Sequence, residues 1–314
     1  MIKYTEYIFD VTLGGITMSF NKPIFKGTAT ALITPFKDGA VDYAALENLL
    51  EFQINGGIDA LVVCGTTGEP ATLDDDEHKR VLEFAIEKVN KRVPVIAGTG
   101  SNNTQYAIDL SRFAERAGAD GLLLVTPYYN KCSQKGIVSH FNTVADSVNI
   151  PCIVYNVPGR TGFCISLDSY KQLAKHENIV ATKEASGNLL LMMEVLEACG
   201  NDIDMYSGDD QQVVPLMSMG AIGAISVFSN IMPAEAHLLT KLCLEGNFEE
   251  AAKLQLKYLR LMNGLFMQVN PIPVKTACAK MGFCNNEFRM PLCPMDASDD
   301  EKLFSLMREH NLIK

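Results

Sequence analysis

The chain alternates short, continuous apolar runs with longer segments of helical periodicity, and this alternation limits its possible folds more than any other feature. The runs are apolar at successive positions, which is typical of parallel strands that are buried on both faces beneath helices. The segments between them predict helices, for example over residues 43–53, 75–89, 104–117 and 189–199. The predicted strands are residues 28–33, 60–64, 94–98, 121–126, 152–156, 179–183, 204–207 and 224–227.

The number and size of the alternating units indicate how the strands are arranged. All eight lie within residues 23–246, which gives about 28 residues per unit and fits a closed (β/α)8 barrel. An open, doubly wound sheet is the alternative, and it would place a glycine-rich dinucleotide fingerprint after the first strand. Thr34, Pro35 and Phe36 stand there instead. We therefore predict an α/β fold, a (β/α)8 TIM barrel with a C-terminal helical addition.

The pattern changes after residue 246, where helical periodicity continues without further strands. Met18 begins a more ordinary N-terminal sequence, so residues 1–17 are predicted to be an extension or the product of an upstream start codon. These features divide the chain into three predicted parts: an N-terminal extension over residues 1–22, a barrel with the active site over residues 23–246, and a C-terminal helical domain over residues 247–314.

Local signals predict where some of the helices begin and end. Thr72 with Asp75 resembles a capping box at the start of helix 75–89, and the segment from Ser298 to Glu301 resembles a second one that opens the final helix. Pro271 and the proline two residues later are predicted to end the long helical segment that follows the barrel.

Composition excludes several classes of protein. The 314 residues are 47% hydrophobic and 20% charged, which is ordinary globular usage, and the net charge of −10 argues against a nucleic-acid or anionic-membrane partner. The nine cysteines include no CxxC pair, so we expect reduced thiols. The longest apolar runs have the length of strands, too short to cross a bilayer. We therefore expect a soluble, cytoplasmic protein.

Polar residues follow five of the predicted strands. In barrels of this kind the reacting groups come from the carboxyl ends of strands and the loops just after them. Five neighbouring loops would therefore present hydroxyls, phenols, a guanidinium and an amine to a shared mouth: residues 65–70, 126–130, 155–162, 183–187 and 207–210.

Lys183 is the most informative of these polar residues, because it follows the apolar segment 179–182. One interpretation is a lysine that extends its charge out of the barrel into solvent. The other is an amine whose pKa is lowered by desolvation, so that it can attack a carbonyl group. No two of the five histidines have metal-ligand spacing and no nucleophile elbow is present, so we predict no metal site and no Ser-His-Asp triad.

Other residues at the ends of strands could assist a nucleophilic lysine. Tyr155 is either a core residue with a solvated tip or a proton shuttle. Thr66 and Thr67 lie between glycines and are either turn residues or ligands, and Arg160 is either an exposed arginine or a clamp for a carboxylate. Together they favour a Schiff-base lyase or aldolase that acts on a small carboxylated carbonyl compound.

At this point the chain resembles a known family, the dihydrodipicolinate synthases (4-hydroxy-tetrahydrodipicolinate synthases), from about residue 25 to its end. Each motif is weak alone, but the joint occurrence of all of them at barrel spacing is specific. The motifs are GTTGEP at 65–70, TPYYN at 126–130, YNVPGRTG at 155–162, KEASG at 183–187, SGDD at 207–210 and NPIPVK at 270–275.

The resemblance implies catalytic roles for four residues. Lys183 would form a Schiff base with pyruvate. Tyr155, Thr66 and Tyr129 would form a proton relay, with Tyr129 reaching into the site of a neighbouring subunit. The family is usually a homotetramer, a dimer of dimers, that uses no metal or organic cofactor. Its product feeds diaminopimelate and lysine synthesis.

It also implies four substrate-binding residues. Thr67 would bind the carboxylate of pyruvate, while Gly208 and Ile225 would line the pyruvate pocket. Arg160 would bind the carboxylate of the second substrate, L-aspartate-4-semialdehyde.

Two alternatives stay open beside this reading. Sibling enzymes, the N-acetylneuraminate lyases and 2-keto-3-deoxy-sugar-acid aldolases, share the lysine and the tyrosine. Arg160 speaks against them, because a short second substrate with its own carboxylate needs a nearby cation. A catalytically silent barrel that binds a keto acid is the other alternative, and the filled relay positions speak against it.

The resemblance also bears on feedback inhibition by lysine. His78, Asn102 and Tyr128 match the inhibitor site of sensitive family members. Asp75 stands where such members often have His, and Tyr106 stands where a Glu pairs with the ammonium of the inhibitor. We therefore expect weak or absent inhibition by lysine.

Overall fold

The computed structural model describes residues 23–314, so the predicted extension over residues 1–22, including 1–17, lies outside the described part of the chain. Eight parallel strands form a closed barrel in the order β1-β10-β9-β8-β7-β6-β5-β4, and a short β2-β3 hairpin follows the first barrel strand. The strands are β1 Gly27–Ala31, β2 Phe36–Lys37, β3 Ala40–Val41, β4 Ala60–Val63, β5 Val95–Gly98, β6 Gly121–Val125, β7 Cys152–Asn156, β8 Ile179–Glu184, β9 Asp204–Ser207 and β10 Gly223–Ser226.

Helices alternate with the barrel strands, and three more helices follow the barrel, so the predicted TIM barrel with a C-terminal helical addition is confirmed. No helix within residues 23–314 is both long and apolar enough to cross a membrane. The helices are α1 Tyr43–Asn55, α2 Asp75–Val89, α3 Thr104–Ala117, α4 Gln134–Ala145, α5 Pro158–Thr161, α6 Leu167–Leu173, α7 Leu189–Cys199, α8 Val213–Met217, α9 Pro233–Leu244, α10 Phe248–Gly264, α11 Ile272–Lys280 and α12 Ala297–Glu309.

The side chains of each barrel strand alternate between two apolar clusters. In β7, Cys152 and Val154 belong to the cluster shared with the helices, whereas Ile153 and Tyr155 belong to the smaller cluster inside the barrel. Because the side-chain period of a strand is two residues, Lys183 lies on the same face of β8 as Ala181, a member of the interior cluster. The fold therefore directs Lys183 into the barrel.

Several helix boundaries differ from the prediction. The capping box of α2 is formed by Asp74 and Glu77, not by Thr72 and Asp75, since Asp74 has extended backbone and its side chain accepts from the Glu77 N–H. No side-chain cap opens α12, whose N-cap residue is Asp296, so the capping box predicted there is wrong.

The prolines after the barrel also act differently from the prediction. Helix α10 ends at Gly264, several residues before them, and Pro271 is the N-cap residue of α11. Proline lacks an N–H group and is tolerated in the first turn of a helix, where that group has no partner. The segment therefore starts a helix against the mouth of the barrel.

Candidate active site

The loops after the barrel strands enclose a cavity of about 370 Å³. Thr66, Tyr155, Arg160 and Asn270 line it. Tyr106, Tyr128 and His78 line it as well. The structure thus brings residues from several predicted loops to one mouth, together with Asn270, which the residue-by-residue reading of the sequence did not select.

Lys183 lies in β8 against Tyr155, a residue that lines the cavity, although Lys183 itself is absent from the lining. Only 5% of the residue is exposed, so it does not extend its charge into solvent. Burial lowers the pKa of Lys183 to about 8; Asp209 and Asp210 oppose this shift, and Arg160 adds to it. A lysine with a pKa near 8 has an appreciable neutral fraction at physiological pH, which is the form that attacks a carbonyl.

The approach of β9 to Lys183 requires a glycine. A Cβ atom at Gly208 would lie 2.7 Å from the Ala185 Cβ and 3.1 Å from the Lys183 Cε. The Gly208 N–H donates to the Glu184 carbonyl at 2.6 Å, which holds this close contact. Ile225 is fully buried in the interior cluster. Ile225 therefore lies in the barrel wall, in β10, and Gly208, the residue after β9, lies directly against Lys183.

Tyr155 is the register partner of Lys183 on the adjacent strand. The residue is 6% exposed, and burial raises the pKa of its phenol to about 12. A hydrogen bond with the Thr66 side chain and the charge of Arg160 partly offset this rise in pKa. The phenol is therefore protonated at neutral pH and can donate a proton to a group bound at Lys183.

Thr67 and Arg160 are linked through one residue, Asn270. The Asn270 Nδ2 donates to the Thr67 Oγ1 at 3.0 Å, and the Arg160 Nη2 donates to the Asn270 carbonyl at 3.2 Å. The Asn270 Oδ1 is buried without a hydrogen-bond partner among the described residues. A buried polar group without a hydrogen bond lowers the stability of the fold unless a ligand or water bonds to it. We therefore include Asn270 in the candidate site.

The structure of a single chain does not bring Tyr129 to the other relay residues. Tyr129 is 92% exposed, has a φ of +66° and is absent from the residues that line the cavity. Its neighbour Tyr128 lines the cavity instead. A role for Tyr129 in catalysis therefore requires a second copy of the chain.

Two acidic residues beside Lys183 were missed by the sequence reading. The Glu184 carboxylate is fully buried and accepts hydrogen bonds from Tyr170 at 2.7 Å and Ser186 at 2.6 Å. Burial raises the pKa of Asp209 to about 6, and Asp210 raises it further while Lys183 opposes the rise. An acidic residue that ends an apolar strand, as Glu184 does in KEASG, is the signal that could have identified the first of them.

No cluster of three or more His, Cys, Asp or Glu side chains able to hold a metal ion occurs within residues 23–314. The groups that the described chain supplies for chemistry at this site include the Lys183 amine, the Arg160 guanidinium, the Thr66 hydroxyl, the Tyr155 phenol and the Asp209 carboxyl.

Comparison with known proteins yields consistent matches. The model of the dihydrodipicolinate synthetase family matches residues 24–310. A 4-hydroxy-tetrahydrodipicolinate synthase from Geobacter sulfurreducens is 54% identical over 92% of this chain and 100% of its own. The crystal structure of dihydrodipicolinate synthase from Aquifex aeolicus superposes with a TM-score of 0.90 at 47% identity, covering 92% of this chain and 99% of its own. A solved variant characterised as monomeric has a TM-score of 0.91 at 37% identity, covering 92% and 98%.

Proposed function

The chain belongs to the dihydrodipicolinate synthetase family, and from this premise we propose that it is a 4-hydroxy-tetrahydrodipicolinate synthase that condenses pyruvate with L-aspartate-4-semialdehyde. The product would enter diaminopimelate and lysine synthesis. The observation that carries the proposal is Lys183, a buried amine with a pKa of about 8 beside the protonated phenol of Tyr155.

The first half of the reaction would form the nucleophile. The neutral amine of Lys183 attacks the ketone carbon of pyruvate, and the resulting carbinolamine loses water to give an iminium ion. Tyr155 and Thr66 supply the proton that the departing hydroxide takes up. The iminium makes the neighbouring methyl group acidic, and the transfer of a methyl proton back to the relay leaves an enamine.

The second half would form the carbon–carbon bond. The enamine carbon attacks the aldehyde of L-aspartate-4-semialdehyde, and the relay returns a proton to the new alkoxide. Thr67 holds the pyruvate carboxylate and Arg160 holds the carboxylate of the second substrate, with Asn270 fixing both side chains from one position. The amino group that comes from the second substrate then attacks the iminium carbon, and expulsion of the Lys183 amine closes the ring as a cyclic imine and restores the lysine.

The alternative within the same chemistry is a sibling aldolase that acts on sugar acids. A guanidinium at the cavity mouth suits a short substrate with its own carboxylate better than a polyhydroxylated chain. The named relatives favour the synthase as well.

We also propose that the working form is a homotetramer, a dimer of dimers, in the cytoplasm. The exposure of Tyr129 supports a shared site, and an exposed apolar face of α7 supports a second contact: Leu189, Leu190 and Met193 are 37%, 65% and 49% exposed. All nine cysteines are free thiols, which suits a reducing compartment. On this proposal residues 23–246 form the catalytic barrel and residues 247–314 a C-terminal helical domain, after an extension over residues 1–22.

Trapping with borohydride tests the chemistry. The protein is reduced in the presence of pyruvate, digested, and the peptide that contains Lys183 is analysed by mass spectrometry. We expect a reduced adduct on Lys183, none with L-lactate, which has no ketone, and none in Lys183→Met. Absence of the adduct from the unmodified protein would overturn the proposal.

A second assay separates the synthase from its siblings. Consumption of pyruvate is followed with L-aspartate-4-semialdehyde or with N-acetylmannosamine as the acceptor. The proposal requires turnover with the first. Turnover with N-acetylmannosamine alone would assign the chain to the sibling group.

A further inference from the structure

A fully buried ion pair lies beside the turn that carries Thr66 and Thr67. The Lys275 Nζ donates to the Glu69 Oε1 at 2.7 Å, and the two side chains are 0% and 1% exposed. Lys275 belongs to α11, and Glu69 follows the turn Thr66–Gly68 directly. The pair therefore joins the C-terminal helices to the loop after β4, across 206 positions of the sequence.

The backbone of Glu69 closes the turn that holds the two threonines. Its φ of +54° is left-handed, its N–H donates to the Thr66 carbonyl at 3.2 Å, and its carbonyl accepts from the Thr72 N–H at 3.1 Å. A left-handed conformation is unfavourable for a residue with a side chain and persists only where its surroundings enforce it. The ion pair with Lys275 supplies such an enforcing contact.

Aromatic rings surround the charge of Lys275. Its Nζ lies 3.9 Å from the centroid of the Phe36 ring and 5.1 Å from that of Phe288. The second carboxylate oxygen of Glu69, Oε2, is buried without a partner among the described residues. Replacing a buried pair of this kind by apolar groups often leaves stability unchanged, so stability alone is a weak explanation for its presence.

The same segment of chain contacts the loop a second time. Asn270, just before α11, donates to the Thr67 Oγ1, so residues 270–275 contact the Thr66–Glu69 turn at two points. Thr66 in turn is hydrogen-bonded to Tyr155. A displacement of this turn would change the position of the relay hydroxyl and of the carboxylate ligand together.

We propose that Glu69 and Lys275 are positioning residues, which hold the Thr66–Thr67 turn in the geometry required for proton transfer and for binding the pyruvate carboxylate. Lys275 does not line the cavity, and the carboxylate of Glu69, which does, is bonded to Lys275; on this proposal both act through the turn. This inference rests on the proposed function, since it assigns Thr66 and Thr67 their roles in that reaction.

The test compares the unmodified chain with the double variant Glu69→Gln/Lys275→Met, which removes both charges and the hydrogen bond with little change of volume. The double variant is used because each single change leaves an uncompensated charge in the interior and can prevent folding. Near-ultraviolet circular dichroism and the thermal midpoint establish that each protein is folded at the assay temperature. Glu77→Gln is the matched control, because the Glu77–Arg289 pair also fixes the C-terminal region to the barrel but does not bond to the Thr66–Gly68 turn.

We expect the folded double variant to lose at least about tenfold in kcat and to need about tenfold more pyruvate for half-saturation, since small misplacements of reacting groups cost this much or more. At saturating pyruvate it still gives the reduced adduct on Lys183, and Glu77→Gln keeps the kcat and KM of the unmodified chain. Unchanged kcat and KM in the double variant, or equal losses in Glu77→Gln, would overturn the positioning role. Failure of the unmodified chain to form the adduct would instead refute the proposed function, so the two failures are distinguishable.

Discussion

The Nζ atom of Lys183 lies 4.3 Å from the centroid of the Tyr155 ring. The two residues are paired across neighbouring parallel strands, so the barrel itself sets their separation. An ammonium ion over an aromatic face is stabilised by the ring quadrupole, which favours the charged amine, whereas burial favours the neutral one. Burial lowers the pKa of Lys183 to about 8, so the ring and the loss of solvent act on the amine in opposite directions.

This pKa predicts a pH profile for the first chemical step. Only the neutral amine attacks the ketone, so the rate of adduct formation at limiting pyruvate should rise with pH and level off above about 8. The neutral fraction increases roughly fivefold from pH 7 to 8 and less than twofold from pH 8 to 9. Timed borohydride quenching across this range measures it. A rate that keeps rising tenfold per pH unit beyond 9 would contradict the lowered pKa.

Asp209→Asn should move that profile to lower pH. Asp209 stabilises the charged form of Lys183, so removing its negative charge favours the neutral amine and lowers the pKa of Lys183 further. We expect the midpoint of the profile to fall below that of the unmodified chain. Asp202→Asn is the control, because Asp202 is an exposed residue whose charge does not act on Lys183. A midpoint displaced to higher pH would show that Asp209 acts in another way.

Gly208→Ala should impair catalysis by displacing Lys183. The added methyl group would meet the Ala185 Cβ at 2.7 Å and the Lys183 Cε at 3.1 Å, so β9 or the lysine must move. We expect kcat/KM for pyruvate to fall by at least about tenfold. Gly159→Ala is the matched control, since nothing lies within 4 Å of its added Cβ. Steady-state kinetics measure kcat/KM for both variants. Equal values of kcat/KM in the two variants would show that the added methyl group at position 208 is tolerated.

The barrel strands and the position of Lys183 could be predicted from the sequence, because both depend on the pattern of neighbouring apolar and charged residues. The barrel strands are continuous apolar runs, so their bounds were predicted to within about two residues, and Lys183 was conspicuous as a charge at the end of one run. The start of α2 was predicted wrongly because the acidic run 74–77 offers several candidate caps. Only the extended backbone of Asp74 shows which residue is used.

The long-range contacts that hold the site residues in place could not be predicted in the same way. Asn270 and Thr67 are 203 positions apart in the sequence, and no local pattern predicts the contact between them. The buried pair of Lys275 with Glu69 has the same character, because a lysine in an apolar helix and a glutamate in a glycine-rich turn each have ordinary local explanations. Such contacts depend on how α11 closes over the barrel mouth, which is a property of the tertiary fold.

We predict that inhibition by lysine is weak or absent, and the prediction rests on Tyr106 and Asp75. Tyr106 lines it, where a sensitive enzyme would place a carboxylate, and its side chain is hydrogen-bonded to Asp75. Asp75 also binds Lys79 at 2.5 Å, so its charge is already paired. Without a free carboxylate the ammonium of a bound lysine would lack its charged partner, and we expect its affinity to be lower for that reason.

Titration of the steady-state rate with L-lysine measures the inhibition. Half-inhibition at or below about 1 mM, which corresponds to a binding free energy of about −4 kcal/mol, would refute the prediction. The double variant Asp75→His/Tyr106→Glu should become sensitive to lysine, because it supplies a carboxylate at position 106 and removes the carboxylate of Asp75. Asp75→His/Tyr106→Gln has the same shape without the charge and should remain insensitive. Equal responses of the two variants would show that the missing carboxylate is not the cause.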